Sequence, residues 1–142
     1  MYSSQFDKLV MKFRELQDSV IHTKKTEYLN NNDRLTNFRT VGELEGRRMS
    51  QVAITLLLNH IQRITNAVNS GNYKWSMWDG EKEGLQQRIV DAMNYLYLLA
   101  ACLEEEEQTR VIYEAKLDAT QADLKGVSFN AEPSGGHTTS GD

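Results

Sequence analysis

The sequence predicts an all-α fold: a helical bundle of three long helices and one short helix, with a long C-terminal helix extension. Apolar residues recur at steps of three and four through three long segments, which is the spacing of one helix face. No segment shows a convincing strand pattern, and helices of this number pack as a bundle. The chain has 142 residues, 39% hydrophobic and 25% charged, which is typical of one globular domain with a real core.

The first helix is predicted to begin at Ser3 or Ser4, because either side chain can cap the first turn. It is expected to end near His22, and its apolar stripe contains Phe6, Leu9, Val10, Phe13, Leu16 and Val20. The stripe lapses over residues 23–37, where three successive asparagines followed by Asp33 are typical of a loop that caps the next helix.

A short second helix is predicted over residues 38–44, and Gly46 is expected to end it as a C-terminal cap. The third helix is predicted to begin at Ser50, which can cap it, and to end at residues 69–71, Asn-Ser-Gly. Its apolar stripe contains Val52, Ala53, Leu56, Leu57, His60, Ile61, Ile64, Ala67 and Val68.

Residues 72–80 are predicted to form an aromatic loop that contains Trp75 and Trp78. These two side chains could stack on a base or contact a second subunit. The simpler alternative is that they cover the end of the bundle as a lid.

The fourth helix is predicted to begin near Asp79 or Gly80 and to run to Lys125, with Gly126 as its stop. Its stripe contains Leu85, Ile89, Ala92, Met93, Leu96, Leu99, Ala100 and Leu103. We expect the third and fourth helices to pack antiparallel and to bury Leu56, Leu57, Ile61 and Ile64 against Ile89, Met93, Leu96 and Leu99. Beyond Glu107 the apolar residues thin out, which predicts exposure or packing against another subunit.

The predicted organisation is one domain over residues 1–125 and a flexible tail over residues 126–142, which is rich in Gly, Ser and Thr. The start of the chain has no signal-peptide pattern, and the longest apolar runs are four or five residues, so we expect a cytoplasmic protein without a membrane partner. A net charge of −4 is a poor match to duplex DNA. Cys102 is predicted to be a small core residue, and residues 104–107 a solvated acidic face.

Asp91 and Asn94 interrupt the most apolar part of the fourth helix, and with Leu98 they share a face beside its stripe. A carboxylate and an amide on so apolar a helix need polar partners or a ligand. The sequence therefore predicts a functional site at this pair. The alternative is a buried polar pair that fixes the register of the helices.

Three segments together resemble small MazG-like proteins common in phages. KTEYLNNNDRLTNF, residues 25–38, is similar to their K-x-x-D-Y … D-R-L-x-N-F opening, and residues 59–61 are similar to their K-H-hydrophobic helix. QRIVDAMNYLYLL, residues 87–99, is similar to their E-K-I-x-D-x-x-N-Y-L-x-L-L helix. The resemblance covers about residues 20–105.

MazG-like proteins belong to the all-α nucleoside triphosphate pyrophosphohydrolases, which hold Mg²⁺ against a nucleotide through E-x-x-E and E-x-x-D motifs. The resemblance implies a nucleotide-binding homo-oligomer, whose second subunit completes the site, with catalytic Asp91 and Asn94 and with Asp91 as a metal ligand. Carboxylates one turn apart suit Mg²⁺, which prefers oxygen ligands. The ligand-binding residues it implies are Lys25, Tyr28, Asp33, Arg34, His60, Arg63, Arg88 and Tyr95.

The acidic motifs are incomplete in this chain. Gln87 and Arg88 stand where an enzyme carries Glu, and the helix expected to bear E-x-x-E carries Asn59, His60, Gln62 and Arg63. The only further carboxylates are Glu27, Asp33, Glu43 and Glu45. Either Mg²⁺-dependent pyrophosphohydrolysis is retained, or the chain is a degenerate relative in which Arg63 and Arg88 hold phosphate without metal.

Two other classes of function are left open: a non-catalytic protein that sequesters a nucleotide-derived signal, and a structural helical protein of a phage particle. Individual residues also have simpler interpretations. His60 lies on an apolar stripe and could be a hydrogen-bonded core residue, and the cations of the loop could be solvated rather than bound to phosphate, namely Lys24, Lys25 and Arg34.

Overall fold

The computed structural model describes residues 1–28 and 33–126, with side chains described for 1–23 and 33–126. This part of the chain forms four helices and one two-stranded sheet: α1 Ser3–Tyr28, α2 Thr36–Glu45, α3 Met49–Ser70, β1 Trp78–Asp79, β2 Lys82–Glu83 and α4 Leu85–Gly126. The predicted all-α fold class is confirmed, with a small hairpin added. The predicted tail beyond Gly126 lies outside the described residues.

Internal contacts divide the chain into a first unit, Met1–Glu107, and a second unit that begins at Gln108. Every described residue of the second unit is exposed, including Val111, Ile112, Tyr113, Leu117 and Leu124. The predicted exposure beyond Glu107 is therefore confirmed. No helix in the described ranges is both long and apolar enough to cross a membrane.

Two of the three predicted glycine stops, Gly46 and Gly71, are confirmed as C-terminal caps. Gly46 caps α2 and Gly71 caps α3, each with φ of 64°, in the left-handed region that favours glycine. Gly42 permits a tight turn between the two helices. A Cβ there would lie only 2.6 Å from the carbonyl oxygen of Arg47. The first helix ends later than predicted, since α1 continues past His22 to Tyr28.

The predicted start of the fourth helix near Asp79 or Gly80 is wrong, because a hairpin occupies that position. β1 pairs with β2 antiparallel, and α4 begins only at Leu85, whose N–H donates to the carbonyl of Lys74 at 2.9 Å. A Cβ on Gly84 would lie 2.0 Å from the carbonyl oxygen of Ser76, so this entry into α4 requires glycine. Backbone carbonyls of the aromatic loop thus take the N–H groups that a side-chain cap would otherwise take.

The aromatic loop packs against α1. The rings of Phe13 and Trp75 have centroids 6.0 Å apart and planes inclined at 42°. Both tryptophans of the loop are about half exposed. Trp75 therefore covers part of the first helix, as the simpler interpretation of the loop expects.

The predicted antiparallel packing of α3 and α4 is confirmed, because contacts that advance along α3 retreat along α4. Ser50, in the first turn of α3, bonds to Glu106 at 2.8 Å. Ten residues later, the ring centroid of His60 lies 4.6 Å from that of Tyr95. One cluster of buried core residues lies beside the first of these contacts and consists of Leu35, Phe38, Val52, Ala53 and Cys102.

The buried residues of α4 include Leu85 and Ala92 of the predicted apolar stripe, together with Val90, Asp91 and Cys102, which lie outside that stripe. Leu96 is 54% exposed, and on α3 Leu56 and Ile61 are 36% and 44% exposed. Their predicted burial is wrong because α2 and the residue before it also pack onto α4, and they meet the face of Cys102. Cys102 itself is fully buried, as predicted.

Candidate functional site

A cavity of about 420 Å³ lies in the first unit, and we call it the site cavity. Its apolar wall consists of Ile21, Leu35, Phe38, Val41, Val52, Leu56, Leu98 and Ala101. Its polar residues are Arg34, Asn37, Asp91, Asn94, Tyr95 and Tyr97. A mostly apolar cavity of this size with a few polar groups is typical of a small-molecule site.

Asp91 is the carboxylate of the site cavity, and it is only 4% exposed. Gln87, one turn earlier on α4 and also buried, donates from Nε2 to Asp91 Oδ1 at 3.0 Å. This glutamine occupies the position four residues before Asp91, where the MazG-like pattern carries Glu. The resemblance implies a second carboxylate at this position, and the structure has an amide there that donates to Asp91.

Asn94 lies one turn after Asp91 and lines the site cavity. Its Oδ1 and Nδ2 are both shielded from solvent, and neither has a hydrogen-bond partner in the structure as described. A buried amide without partners is costly, since each unmade hydrogen bond leaves a desolvated polar group uncompensated. Asn94 is thus the polar group of the cavity wall that is best explained by a ligand.

Tyr95 joins two aromatic contacts around the site cavity. Its ring meets Phe38 edge to face, with centroids 6.4 Å apart and planes at 83°. The ring of His60 also lies close to that of Tyr95, with the two planes inclined at 32°. These contacts hold the phenol in one orientation, and they place His60 behind Tyr95, outside the lining of the cavity.

Both carboxylate oxygens of Asp33 accept hydrogen bonds at the start of α2. Its Oδ1 accepts from the N–H of Leu35 at 2.9 Å, and its Oδ2 accepts from Arg39 Nη1 at 2.5 Å. The Arg39 guanidinium, followed by the Leu35 N–H, lowers the pKa of Asp33 below its ordinary value. Asp33 therefore stabilises the turn that leads into α2, whose N-cap is Leu35, and its neighbour Arg34 lines the site cavity instead.

Arg39 is a residue that the sequence analysis missed. Its Nη2 donates to Glu105 Oε1 at 2.6 Å, so it ties Asp33 to α4 across 66 residues of sequence. The two carboxylates raise the pKa of Arg39 above its ordinary value. No local pattern signals this arginine, because the two acids lie six residues before it and far beyond it in the chain.

The predicted solvated acidic face is wrong at Glu105 and Glu106, because both bond to other helices. Glu106 accepts from the backbone N–H and from Oγ of Ser50, each at 2.8 Å. Ser50 is therefore not the N-cap, which is Arg48. It lies inside the first turn, where a carboxylate of α4 satisfies its N–H group.

Arg63 and Arg88 do not line the site cavity, which corrects the expectation that both face the cleft of Asp91. Arg88 Nη1 donates to the carbonyl of Arg63 at 3.5 Å. Arg88 instead lines a smaller cavity of about 230 Å³ beside the hairpin, together with Asn72, Tyr73, Lys74, Asp79, Lys82, Glu83 and Leu85. Two predicted ligand-binding side chains, Lys25 and Tyr28, lie outside the described side chains.

The donor set of the site cavity does not fit the Mg²⁺ that the resemblance implies. Among the residues described, no group of three or more His, Cys, Asp or Glu side chains could hold a metal ion. Asp91 is the single carboxylate among the lining residues whose side chains are described. Glu45 pairs with Arg47 at 2.9 Å, and Glu43 is exposed. Mg²⁺ needs several oxygen ligands in octahedral geometry, and these residues do not supply them.

The chain matches no protein-family model, no curated protein and no solved structure. The resemblance to MazG-like proteins therefore rests on the three segments of sequence alone.

Proposed function

We propose that this protein binds a nucleotide or a nucleotide-derived signal in the site cavity, as a MazG-like protein that does not need Mg²⁺ for binding. One observation carries the proposal. Arg34, Asp91, Asn94 and Tyr95 come from segments about sixty residues apart in the sequence, and all four line one cavity of about 420 Å³.

The chemistry of the cavity suits such a ligand. Apolar and aromatic side chains can hold a flat ring, and a few polar groups can orient it. Arg34 is exposed at this cavity, and a guanidinium binds phosphate oxygens through its planar fork of donors.

The replacement of acidic residues supports a role in binding over a role in hydrolysis. Asp91 bonds to the amide of Gln87 where the MazG-like pattern would set a second carboxylate. A pyrophosphohydrolase of this class uses Mg²⁺ to activate water and to neutralise the phosphates. A relative without that set of carboxylates retains its ligand unchanged, so we propose that the protein sequesters it.

The proposal includes a homo-oligomer. Large apolar side chains of α3 and α4 are exposed, and they include Leu58, Ile61, Leu96, Tyr97 and Leu103. An apolar surface of several large side chains is typical of a protein contact. Sedimentation at micromolar concentration is expected to give a species larger than the 16.3 kDa chain, and a monomer alone would count against this assembly.

Calorimetry with a panel of nucleoside triphosphates and cyclic nucleotides, in EDTA and again in Mg²⁺, tests the proposed function. We expect binding of equal strength in both buffers and no release of pyrophosphate. Affinity that vanishes in EDTA and returns with Mg²⁺, together with pyrophosphate release, would establish the metal-dependent enzyme instead.

Arg34→Gln supplies a matched test of the site. It is expected to weaken nucleotide binding by more than tenfold, or about 1.4 kcal/mol, because it removes the cation of the cavity lining. Arg14→Gln is the control, since Arg14 is exposed on α1 and does not line the cavity. Equal affinities for the two variants would remove Arg34 from the site.

A further inference from the structure

We infer that Asn94 reads the edge of a nucleobase, so that the site cavity takes the uncharged heterocyclic end of the ligand and directs its phosphates outward to Arg34. The inference rests on the proposed function and names the part of the ligand that this cavity recognises. It also changes the role of Asn94 from the catalytic residue expected from the sequence to a residue that determines specificity.

The distribution of charge in the cavity favours this orientation. Among the lining residues whose side chains the structure describes, Arg34 is the single cation, and it is exposed. Asp91 is buried, and its carboxylate would repel a phosphate placed beside it. Burying a phosphate without a cation is costly, whereas a nucleobase carries no charge and can offset the burial of its polar edge through hydrogen bonds to the amide of Asn94. The charged end of a nucleotide is therefore more stable at Arg34 than beside Asp91.

Asn94 has the chemistry to recognise the ring. An amide presents a donor, Nδ2, next to an acceptor, Oδ1, and both atoms of Asn94 lack partners in the structure as described. A nucleobase edge also presents a donor next to an acceptor, and asparagine pairs with adenine through two hydrogen bonds of this kind. The terminal torsion of asparagine is broad, so the amide can turn toward the cavity at little cost.

The aromatic wall supplies the remaining contact. Tyr95 contacts both Phe38 and His60, and Tyr97 lines the cavity while most of its surface is exposed. Every base has a π face that stacks on such rings, so stacking contributes affinity without choosing among the bases. Discrimination among bases is then the task of the Asn94 amide.

The test compares Asn94→Leu with the control Asn59→Leu, which changes an exposed asparagine of α3 that does not line the cavity. Calorimetry in EDTA uses adenosine, cytidine, guanosine, uridine and base-free ribose 5-phosphate. We expect the wild type to bind nucleosides, adenosine most tightly, and to bind ribose 5-phosphate at least tenfold more weakly. Asn94→Leu should lose more than tenfold in nucleoside affinity, and Asn59→Leu should lose none.

Thermal denaturation separates recognition from a structural role. Asn94→Leu replaces two unpaired polar atoms with apolar ones of similar size, so its melting temperature is expected to equal or exceed that of the wild type. A large drop would mean that the amide stabilises the fold, which would overturn the inference. Asn94→Ala, measured in the same way, keeps the binding test valid if the leucine does not fit.

The other outcomes separate the two proposals. Nucleotide binding that survives Asn94→Leu and Asn94→Ala unchanged would overturn the reading of the base and leave the proposed function intact. Ribose 5-phosphate that binds as tightly as the nucleosides would do the same. Failure of the wild type to bind any nucleotide or nucleoside would overturn both.

Discussion

Two polar stretches of α4 face the other helices of the first unit, and they differ in what meets them. At the acidic stretch, Glu105 accepts from Arg39 and Glu106 accepts twice from Ser50. At the site cavity, Asn94 lies on the same helix with both amide atoms unpaired in the structure as described. The stretch that has protein partners holds the bundle together, and the stretch that lacks them is the one suited to a ligand.

The acidic stretch also lies next to the buried core cluster that contains Cys102. Cys102 lies one turn before Glu106 and is fully buried within the core cluster. Burial raises the pKa of its thiol to about 11, and the carboxylates of Glu106 and Glu105 add to that shift. A buried thiol with so high a pKa is a structural residue.

The first prediction uses this thiol to measure how well the core next to the acidic stretch excludes reagents. Cys102 is expected to react with a disulfide reagent at pH 8 at least about 100-fold more slowly in the native protein than in urea, because its pKa of about 11 alone lowers the thiolate fraction by about that factor and burial also limits access of the reagent. Native and unfolded rates within a factor of three would mean that the core around Cys102 is accessible to the reagent. The raised pKa also means that its contribution to stability is complete below about pH 9 and is lost as the pH rises toward about 11.

The second prediction breaks the bonds of Glu106. Glu106→Ala leaves the Ser50 N–H and hydroxyl without their acceptor, which is expected to lower the free energy of unfolding by about 1–3 kcal/mol. Urea denaturation measures the change. Glu15→Ala, at an exposed position of α1, is the control and should change stability by less than about 0.5 kcal/mol. Equal effects in the two variants would remove the contrast between the two stretches.

The sequence predicted those features of the fold that depend on residues close together in the chain. Gly46 and Gly71 end their helices as predicted, because a glycine cap in the left-handed conformation depends only on residues of the last helical turn. The start of α4 escaped prediction because carbonyls of the aromatic loop, including those of Lys74 and Ser76, take the N–H groups of its first turn. Such backbone partners leave no pattern in the side chains.

The same limit explains what was predicted of the site. Asp91 and Asn94 were found because polar residues are conspicuous on an apolar helix, and both line the site cavity. The partners of Glu105 were missed because Arg39 and Glu105 are 66 residues apart. The inward face of α4 was predicted only in part: Leu85 and Ala92 are buried, but Leu96 is exposed and Cys102 packs with Phe38 of α2.

The third prediction concerns Arg39, which forms partly exposed ion pairs with Asp33 and with Glu105 of the acidic stretch. The side chains of Arg39, Asp33 and Glu105 are each more than a third exposed, so solvent screens their attraction. Arg39→Gln is expected to cost less than about 1 kcal/mol of stability at pH 7. Its effect on the acid limb is more specific, because Arg39 is the main cause of the lowered pKa of Asp33.

A carboxyl whose pKa is lowered in the folded state stabilises the protein above its ordinary pKa, and that contribution is lost as the pH falls below it. The wild type should therefore lose melting temperature more steeply than Arg39→Gln as the pH falls from 5 to 2. Asp33→Asn should flatten the same limb, since it removes the titrating group, and Asp18→Asn, at an exposed position of α1, should leave it unchanged. Parallel curves for the wild type and Arg39→Gln would show that the Arg39–Asp33 pair contributes nothing in solution. The contrast between the two stretches would then depend on Glu106 alone.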